Sequence, residues 1–232
     1  LRYNLSHLNK KNLFSNLRNF RYLNKKICID TEGAQVRTTK VKKKFFLKKH
    51  KNILIKNDQK ICNSKVINLY PEIDLDNAKK GDKIQIGFDD LELKILKVKK
   101  KELLAKVTSE GYVDSNKGVH FAKEMKMKFL TDKDYECIKL AKSFGINKFA
   151  LSFTNKPIDV LRFRKIIGNK SFLISKIETR EALKNLDQII KNSDAILIDR
   201  GDLSRYVKIS KIPLIKLKIL KKSIKNKKQA FV

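Results

Sequence analysis

No apolar run in this sequence approaches the roughly 18 to 20 residues that a helix needs to cross a bilayer, so no membrane partner is expected. The opening residues, Leu1 to Asn4, carry neither an initiator Met nor an apolar signal region. Nothing there points to secretion, and a first residue other than Met is what a chain beginning inside a longer protein would show. Cysteine is scarce: Cys28, Cys62 and Cys137 are odd in number and far apart, which argues against a disulfide framework and against a Cys-x-x-Cys metal knuckle. A reducing cytoplasm is the expected setting. His7, His50 and His120 show no metal-ligand spacing. No Gly/Ser linker marks a domain seam, and no internal repeat is present. Acidic residues are also short, 24 against 55 Lys and Arg, for a net charge of +31. Such a balance attracts phosphates, and the run Lys40 to Lys51 even has aromatics among its cations. Lys far outnumbers Arg along the whole length, however, which reads first as solvated surface. A nucleic-acid partner therefore ranks below other readings.

What is present is enough apolar residue, 41% of a 232-residue chain, to bury a core of one large domain or two modest ones. The second half alternates strand and helix patterns. Helices are expected over Asp132 to Phe144, Pro157 to Ile167, Arg180 to Asn192 and Pro213 to Ile224. Strands are expected over Phe149 to Phe153, Phe172 to Glu178, Ala195 to Asp199 and Ala230 to Val232. The first forty residues repeat the scheme, with a strand at Leu1 to Leu5, a helix at Lys10 to Tyr22 and a strand at Lys26 to Asp30. Strands separated by helices of this length imply βα units and a parallel sheet. Between about Lys40 and Gly118 the texture changes to short alternating runs, Lys83 to Phe88, Leu91 to Leu96 and Leu103 to Thr108. Their period of two predicts a small antiparallel β domain inserted into the α/β domain.

Charged and polar clusters stand where the βα loops would begin. They are Arg2 to His7, Asp30 to Gly33 with Arg37 close behind, Ser152-Phe153, and Lys176 and Glu178 followed by Asp202. Singly, each is ordinary loop or cap chemistry. As a set they gather acidic groups at the ends of apolar strands, where an unpaired charge is costly. A metal ion would offset that cost. Two carboxylates suit Mg²⁺ or Mn²⁺, which keep waters and recruit substrate phosphates. Lys176 and the arginines would then supply the positive charge that phosphoryl transfer demands.

These residues resemble the pyruvate kinase family. Arg2-x-Asn4-x-Ser6-His7 is similar to its R-x-N-F-S-H, and Asp30 to Thr38 to its D-T-K-G-P-E-I-R-T. Asp114 to Val119 resembles the S-x-K-G-V return from an inserted domain, and Leu130 to Asp134 the L-T-x-K-D that follows. Ala150 to Phe153, Ile174 to Glu178 and Arg200 to Leu203 complete the set in the family's order.

The resemblance implies a (β/α)8 TIM barrel, residues 1–40 and 117–232, interrupted by a small antiparallel β-barrel lid at 41–116. It implies phosphoryl transfer between phosphoenolpyruvate and ADP, giving pyruvate and ATP, with Mg²⁺ (or Mn²⁺) and K⁺. Glu178 and Asp202 would bind Mg²⁺, and Asn4, Ser6, Asp30 and Thr31 would bind K⁺. Lys176 and Arg37 would be catalytic. Arg2, Ser152, Lys176, Gly201 and Asp202 would hold substrate, and Arg2, Asn4, His7 and Arg37 the nucleotide. A homo-oligomer, a tetramer in the family, is also implied. The family pattern departs at Glu32, where a Lys is usual, at Ala34-Gln35, at Asp199, where a small residue is usual, and at Ser204 in place of Gly. A first strand and helix before Arg2 are missing, as is everything after Val232. The resemblance thus implies a barrel incomplete at both ends and a fragment inactive alone. The alternatives are a degenerate barrel acting as a binding protein, a basic nucleic-acid binder, and another barrel enzyme acting on phosphoenolpyruvate or pyruvate. An inserted β domain argues against the last.

Overall fold

The chain enters as a βαβ unit: β1 (Arg2–Asn4), α1 (Lys10–Asn19) and β2 (Cys28–Asp30). Asn9 caps α1 by accepting from the Asn12 N–H at 2.8 Å, and the helix buries Leu13 and Leu17. The computed structural model describes residues 1–20, 26–87, 91–123 and 125–232. Tyr22 of the expected first helix and Phe88 of the expected run Lys83 to Phe88 lie outside them. Contacts group the chain into two units, Leu1–Ala34 with Phe129–Val232, and Gln35–Lys128.

The second unit is all β. Its strands are β3 (Arg37–Thr38), β4 (Phe45–Leu47), β5 (Asn52–Lys56), β6 (Val66–Tyr70), β7 (Lys83–Ile86), β8 (Glu92–Lys99), β9 (Glu102–Ser109), β10 (Gly111–Val113) and β11 (Val119–Phe121). Seven form one sheet in the order β11-β7-β8-β9-β5-β6-β3, while β4 pairs with β10. The period of two correctly marks the buried face, for example Ile53 and Ile55 on β5 and Leu103, Ala105 and Val107 on β9. The expectation of a purely antiparallel sheet fails at one place: β5 and β6 are parallel, with Leu54 opposite Val66. Residues 57–65 carry the chain back before β6 begins, and the Asn63 side chain accepts from the Lys65 and Val66 N–H groups to close that return. Alternation reports which face is buried and carries no information on a neighbour's direction.

The chain then returns to the first unit through α2 (Asp132–Ser143), β12 (Lys148–Leu151), α3 (Pro157–Ile167), β13 (Phe172–Ile177), α4 (Arg180–Lys184), α5 (Leu186–Asn192), β14 (Ala195–Ile198), α6 (Arg200–Leu203), α7 (Ile212–Lys225) and β15 (Gln229–Phe231). One expected helix, Arg180 to Asn192, is in fact two. Asn185 leaves the helical region at φ −95°, ψ 10°. Its side-chain amide donates to the Asn155 carbonyl at 2.9 Å and to the Glu181 carbonyl at 3.2 Å, a local alternative to continued helix.

The first unit is mixed α/β, with six parallel strands in the order β1-β2-β12-β13-β14-β15. Phe149 and Phe163 meet edge to face at 6.5 Å in its core, beside the fully buried Leu173, Ile177 and Ile196. Each such side chain contributes roughly 1.5–3 kcal/mol on burial. Because neighbours in the sheet run parallel, the carboxyl ends of β1, β2, β12, β13 and β14 lie along one edge. The polar residues that follow those ends are gathered there by register alone.

Candidate functional site

Lys176, near the end of β13, is only 5% exposed. Its ammonium lies 2.8 Å from Glu178 Oε1, 3.5 Å from Asp199 Oδ2 and 3.6 Å from Asp30 Oδ2. It also donates to Ser152 Oγ at 3.2 Å, and that hydroxyl in turn donates to Asp30 Oδ1 at 3.0 Å. Asp30 follows β2, Ser152 follows β12, Glu178 follows β13 and Asp199 follows β14, so each strand end supplies one group. Arg2, half-exposed, adds a guanidinium 3.6 Å from Asp30.

The backbone holds this group as firmly as the side chains do. Glu178 Oε2 accepts from the Phe153 N–H at 2.5 Å. Phe153 sits at φ +50°, an uncommon conformation for a bulky residue, and that conformation aims its N–H at Glu178. Ser152 N–H donates to Thr31 Oγ1 at 3.0 Å. Gly33, at φ +70°, lies so close that a Cβ would come within 2.8 Å of the Ser152 carbonyl oxygen. The loop is braced from α2: Asp134 Oδ1 accepts from the Glu32 N–H at 2.8 Å and Oδ2 from those of Gly33 and Thr131 at 3.1 Å. Thr131 returns the favour by accepting from the Asp134 N–H, completing a capping box. Glu32, buried, pairs with Lys133, so the acidic departure at that position is neutralised by a neighbour of the cap.

Burial dominates the titration of these groups. It pushes the Glu178 carboxyl up to about 7, against the lowering effect of Lys176 and with a further push from Asp202. Burial also raises Asp30, opposed by Lys176 and Arg2. For Lys176, burial alone would lower the pKa, but the charges of Glu178 and Asp30 more than reverse it. The two shifts agree on one picture. An ammonium ringed by carboxylates stays charged, and the proton is held best by the most buried acid.

Oxygens of Glu178, Asp199 and Asp202 lie within 4.8 Å of one another, a set that could hold a metal ion. Glu178 Oε1 is buried with no hydrogen-bond donor, its close neighbour being the Lys176 charge. A hard divalent cation fits that donor set. Beside it opens a cavity of about 670 Å³, with Arg2, Asp199, Arg200 and Gly201 on its wall.

The other expected residues take the following places. Asn4 lies opposite Asp30 in the β1–β2 register, and its Oδ1 accepts from the Ser6 N–H at 2.8 Å. Thr31 is buried next to Asp30. His7 is exposed in the turn after β1. Gly201 and Asp202 belong to α6, where Ser204 Oγ donates to the Gly201 carbonyl at 2.7 Å. Arg37 lies in β3, in the other unit. Three contributors escaped the sequence reading: the Phe153 N–H, the Asp134 brace and the convergence of Asp199 with the other carboxylates. Only the second had a visible signal, the Thr131-x-x-Asp134 spacing of a capping box.

The family model described as pyruvate kinase, barrel domain, matches residues 1–232. The chain belongs to the pyruvate kinase family. It is 33% identical over 202 residues to the pyruvate kinase of Thermotoga maritima, covering 85% of this chain and 43% of that one. Against the pyruvate kinase of Lactobacillus delbrueckii subsp. bulgaricus the identity is 30% over 237 residues, covering 95% and 40%. Against that of Borreliella burgdorferi it is 26% over 236 residues, covering 97% and 48%. The chain thus spans less than half the length of these relatives. Pyruvate kinases are generally metal-dependent, and oxygen donors for a metal are present at Glu178, Asp199 and Asp202. Among the described residues no helix is long and apolar enough to cross a membrane.

Proposed function

We propose that the complete protein is a pyruvate kinase, transferring the phosphoryl group of phosphoenolpyruvate to ADP to give pyruvate and ATP in the cytosol. The observation that supports this best is the Lys176 ammonium, held by Asp30, Ser152 and Glu178 beside a cavity that Arg2 and Gly201 line. In this reading the chain folds as a (β/α)8 barrel, residues 1–40 and 117–232, carrying a β-rich lid at 41–116, and assembles as a homo-oligomer.

Charge accumulates on the transferring phosphoryl oxygens, and catalysis is mostly its stabilisation by groups already in place. Lys176 is such a group, because its neighbours fix the ammonium before substrate arrives. Arg2 binds phosphate from the more exposed side. Ser152 orients Lys176, and Gly201 offers backbone to the substrate carboxylate. Glu178 and Asp202 hold Mg²⁺ or Mn²⁺, which when bound neutralises phosphoryl charge. Asn4, Ser6, Asp30 and Thr31 hold K⁺, and Asn4, His7 and Arg37 serve the nucleotide.

A coupled assay of pyruvate formation by the complete protein tests this. Pyruvate should appear only with phosphoenolpyruvate, ADP and a divalent cation together. Absence of ADP-dependent pyruvate with either Mg²⁺ or Mn²⁺ would sink the proposal. It would favour the second reading, a catalytically impaired barrel that binds a partner, to which Asp199 beside Lys176 lends support.

A further inference from the structure

Asp199 stands where the family pattern has a small residue, and its carboxylate has no tight partner of its own. It lies 3.5 Å from Lys176, and its other oxygen accepts from the Asp202 N–H at 3.4 Å, beyond the usual length of such a bond. The side chain is partly exposed on the cavity wall. Its oxygen nonetheless falls within 4.8 Å of those of Glu178 and Asp202. The second sign of a missing cation is Glu178 itself, fully buried, with Oε1 lacking a hydrogen-bond donor and facing this group. Even after Arg2, Lys176 and Arg205 are set against Asp30, Glu178, Asp199 and Asp202, the cluster is net acidic within a strongly basic chain.

We infer that Asp199 is a third carboxylate ligand of the divalent cation and lets this protein hold that ion before any phosphorylated substrate arrives. The inference rests on the proposed metal site at Glu178 and Asp202. A site with two carboxylates leaves much of an octahedral shell to water and substrate oxygens, whereas affinity rises with the number of charged ligands. A third carboxylate therefore shifts binding from substrate-dependent to substrate-independent. It also draws Asp199 off Lys176, which leaves the ammonium freer to face an incoming phosphate.

The test is a Mn²⁺ titration of the complete protein without phosphoenolpyruvate or nucleotide, read by the loss of the free-ion paramagnetic resonance signal. Wild type should bind Mn²⁺ saturably, and Asp199→Ala should bind at least about tenfold more weakly, a loss typical of disturbing a metal's ligand sphere. Asp187→Ala, which removes an exposed carboxylate paired with Lys222, should bind as wild type does. Equal binding by wild type and Asp199→Ala overturns the inference, as does a wild type that takes up no Mn²⁺ without substrate. Glu178→Gln separates the two levels. If it weakens binding while Asp199→Ala does not, the metal site stands and only the third ligand falls. If neither variant changes binding, the proposed site falls with it.

Discussion

Lys176 shows how far a single residue can carry both stability and chemistry. Its ammonium is the counter-charge for Asp30 and Glu178, both fully buried. Lys176→Met is therefore expected to destabilise the protein by roughly 3–5 kcal/mol, the usual consequence of stranding one half of a buried pair. Urea denaturation of wild type and variant would show it, and an unchanged midpoint would mean that water reaches these carboxylates freely. Gly33 is sensitive for a different reason. Gly33→Ala places a Cβ against the Ser152 carbonyl in a backbone region that L residues avoid. It should displace Ser152 and lower turnover more than it lowers the melting temperature. A variant with wild-type turnover would show that the loop relaxes without moving Ser152. Lys176, Glu178 and Ser152 were legible as polar residues after apolar strands. What the sequence could not show was the distance at which they meet, because that depends on the register between β2, β12, β13 and β14.

Among the elements, α2 braces the site most directly. Its capping-box acid, Asp134, accepts the N–H groups of Glu32, Gly33 and Thr131. Asp134→Ala leaves these buried donors unsatisfied and should cost roughly 2–4 kcal/mol, combining a lost cap with unpaired N–H groups. Thermal unfolding followed by circular dichroism measures it, and a loss no larger than that of an exposed helix-surface substitution would contradict the bracing role. The limits of the pattern also appear at this scale. Helical spacing runs without interruption from Arg180 to Asn192, yet the Asn185 side chain finds the Asn155 carbonyl and divides the segment into α4 and α5. That partner lies in a distant loop, so periodicity carries no trace of it. The parallel β5–β6 pair was equally invisible, since strand direction leaves no mark on which residues are buried.

For the whole molecule, several groups agree on an alkaline limit. Burial pushes the Cys28 thiol up to about 12 and the Cys137 thiol to about 11, from an ordinary 9.0. Above pH 9 the unfolded chain releases these protons while the folded one keeps them, so stability falls as pH rises. Tyr3 is raised by burial and acts in the same sense from about 10 upward. Lys176, raised by Glu178 and Asp30, contributes stability below 10.5 that is lost as pH climbs through its folded value. Ionisation of the exposed lysines relieves charge repulsion but begins only near 10.4. Between about pH 9 and 10 the cysteines therefore decide the sign, and the melting temperature should fall. A rising melting temperature in that window would show that repulsion within this +31 chain outweighs them.

All of this converges on a fixed ammonium at the phosphoryl position, and Lys176→Arg interrogates it most directly. That variant keeps the charge among Asp30, Glu178 and Asp199 but moves it along a longer, planar group. The measurement is the initial rate of pyruvate formation by the complete protein, wild type against Lys176→Arg, with phosphoenolpyruvate, ADP and Mg²⁺ all saturating. The account predicts a variant that folds but turns over about 100-fold more slowly or worse, as when an electrostatic contact to the transition state is lost. Equal rates in the two proteins would contradict it.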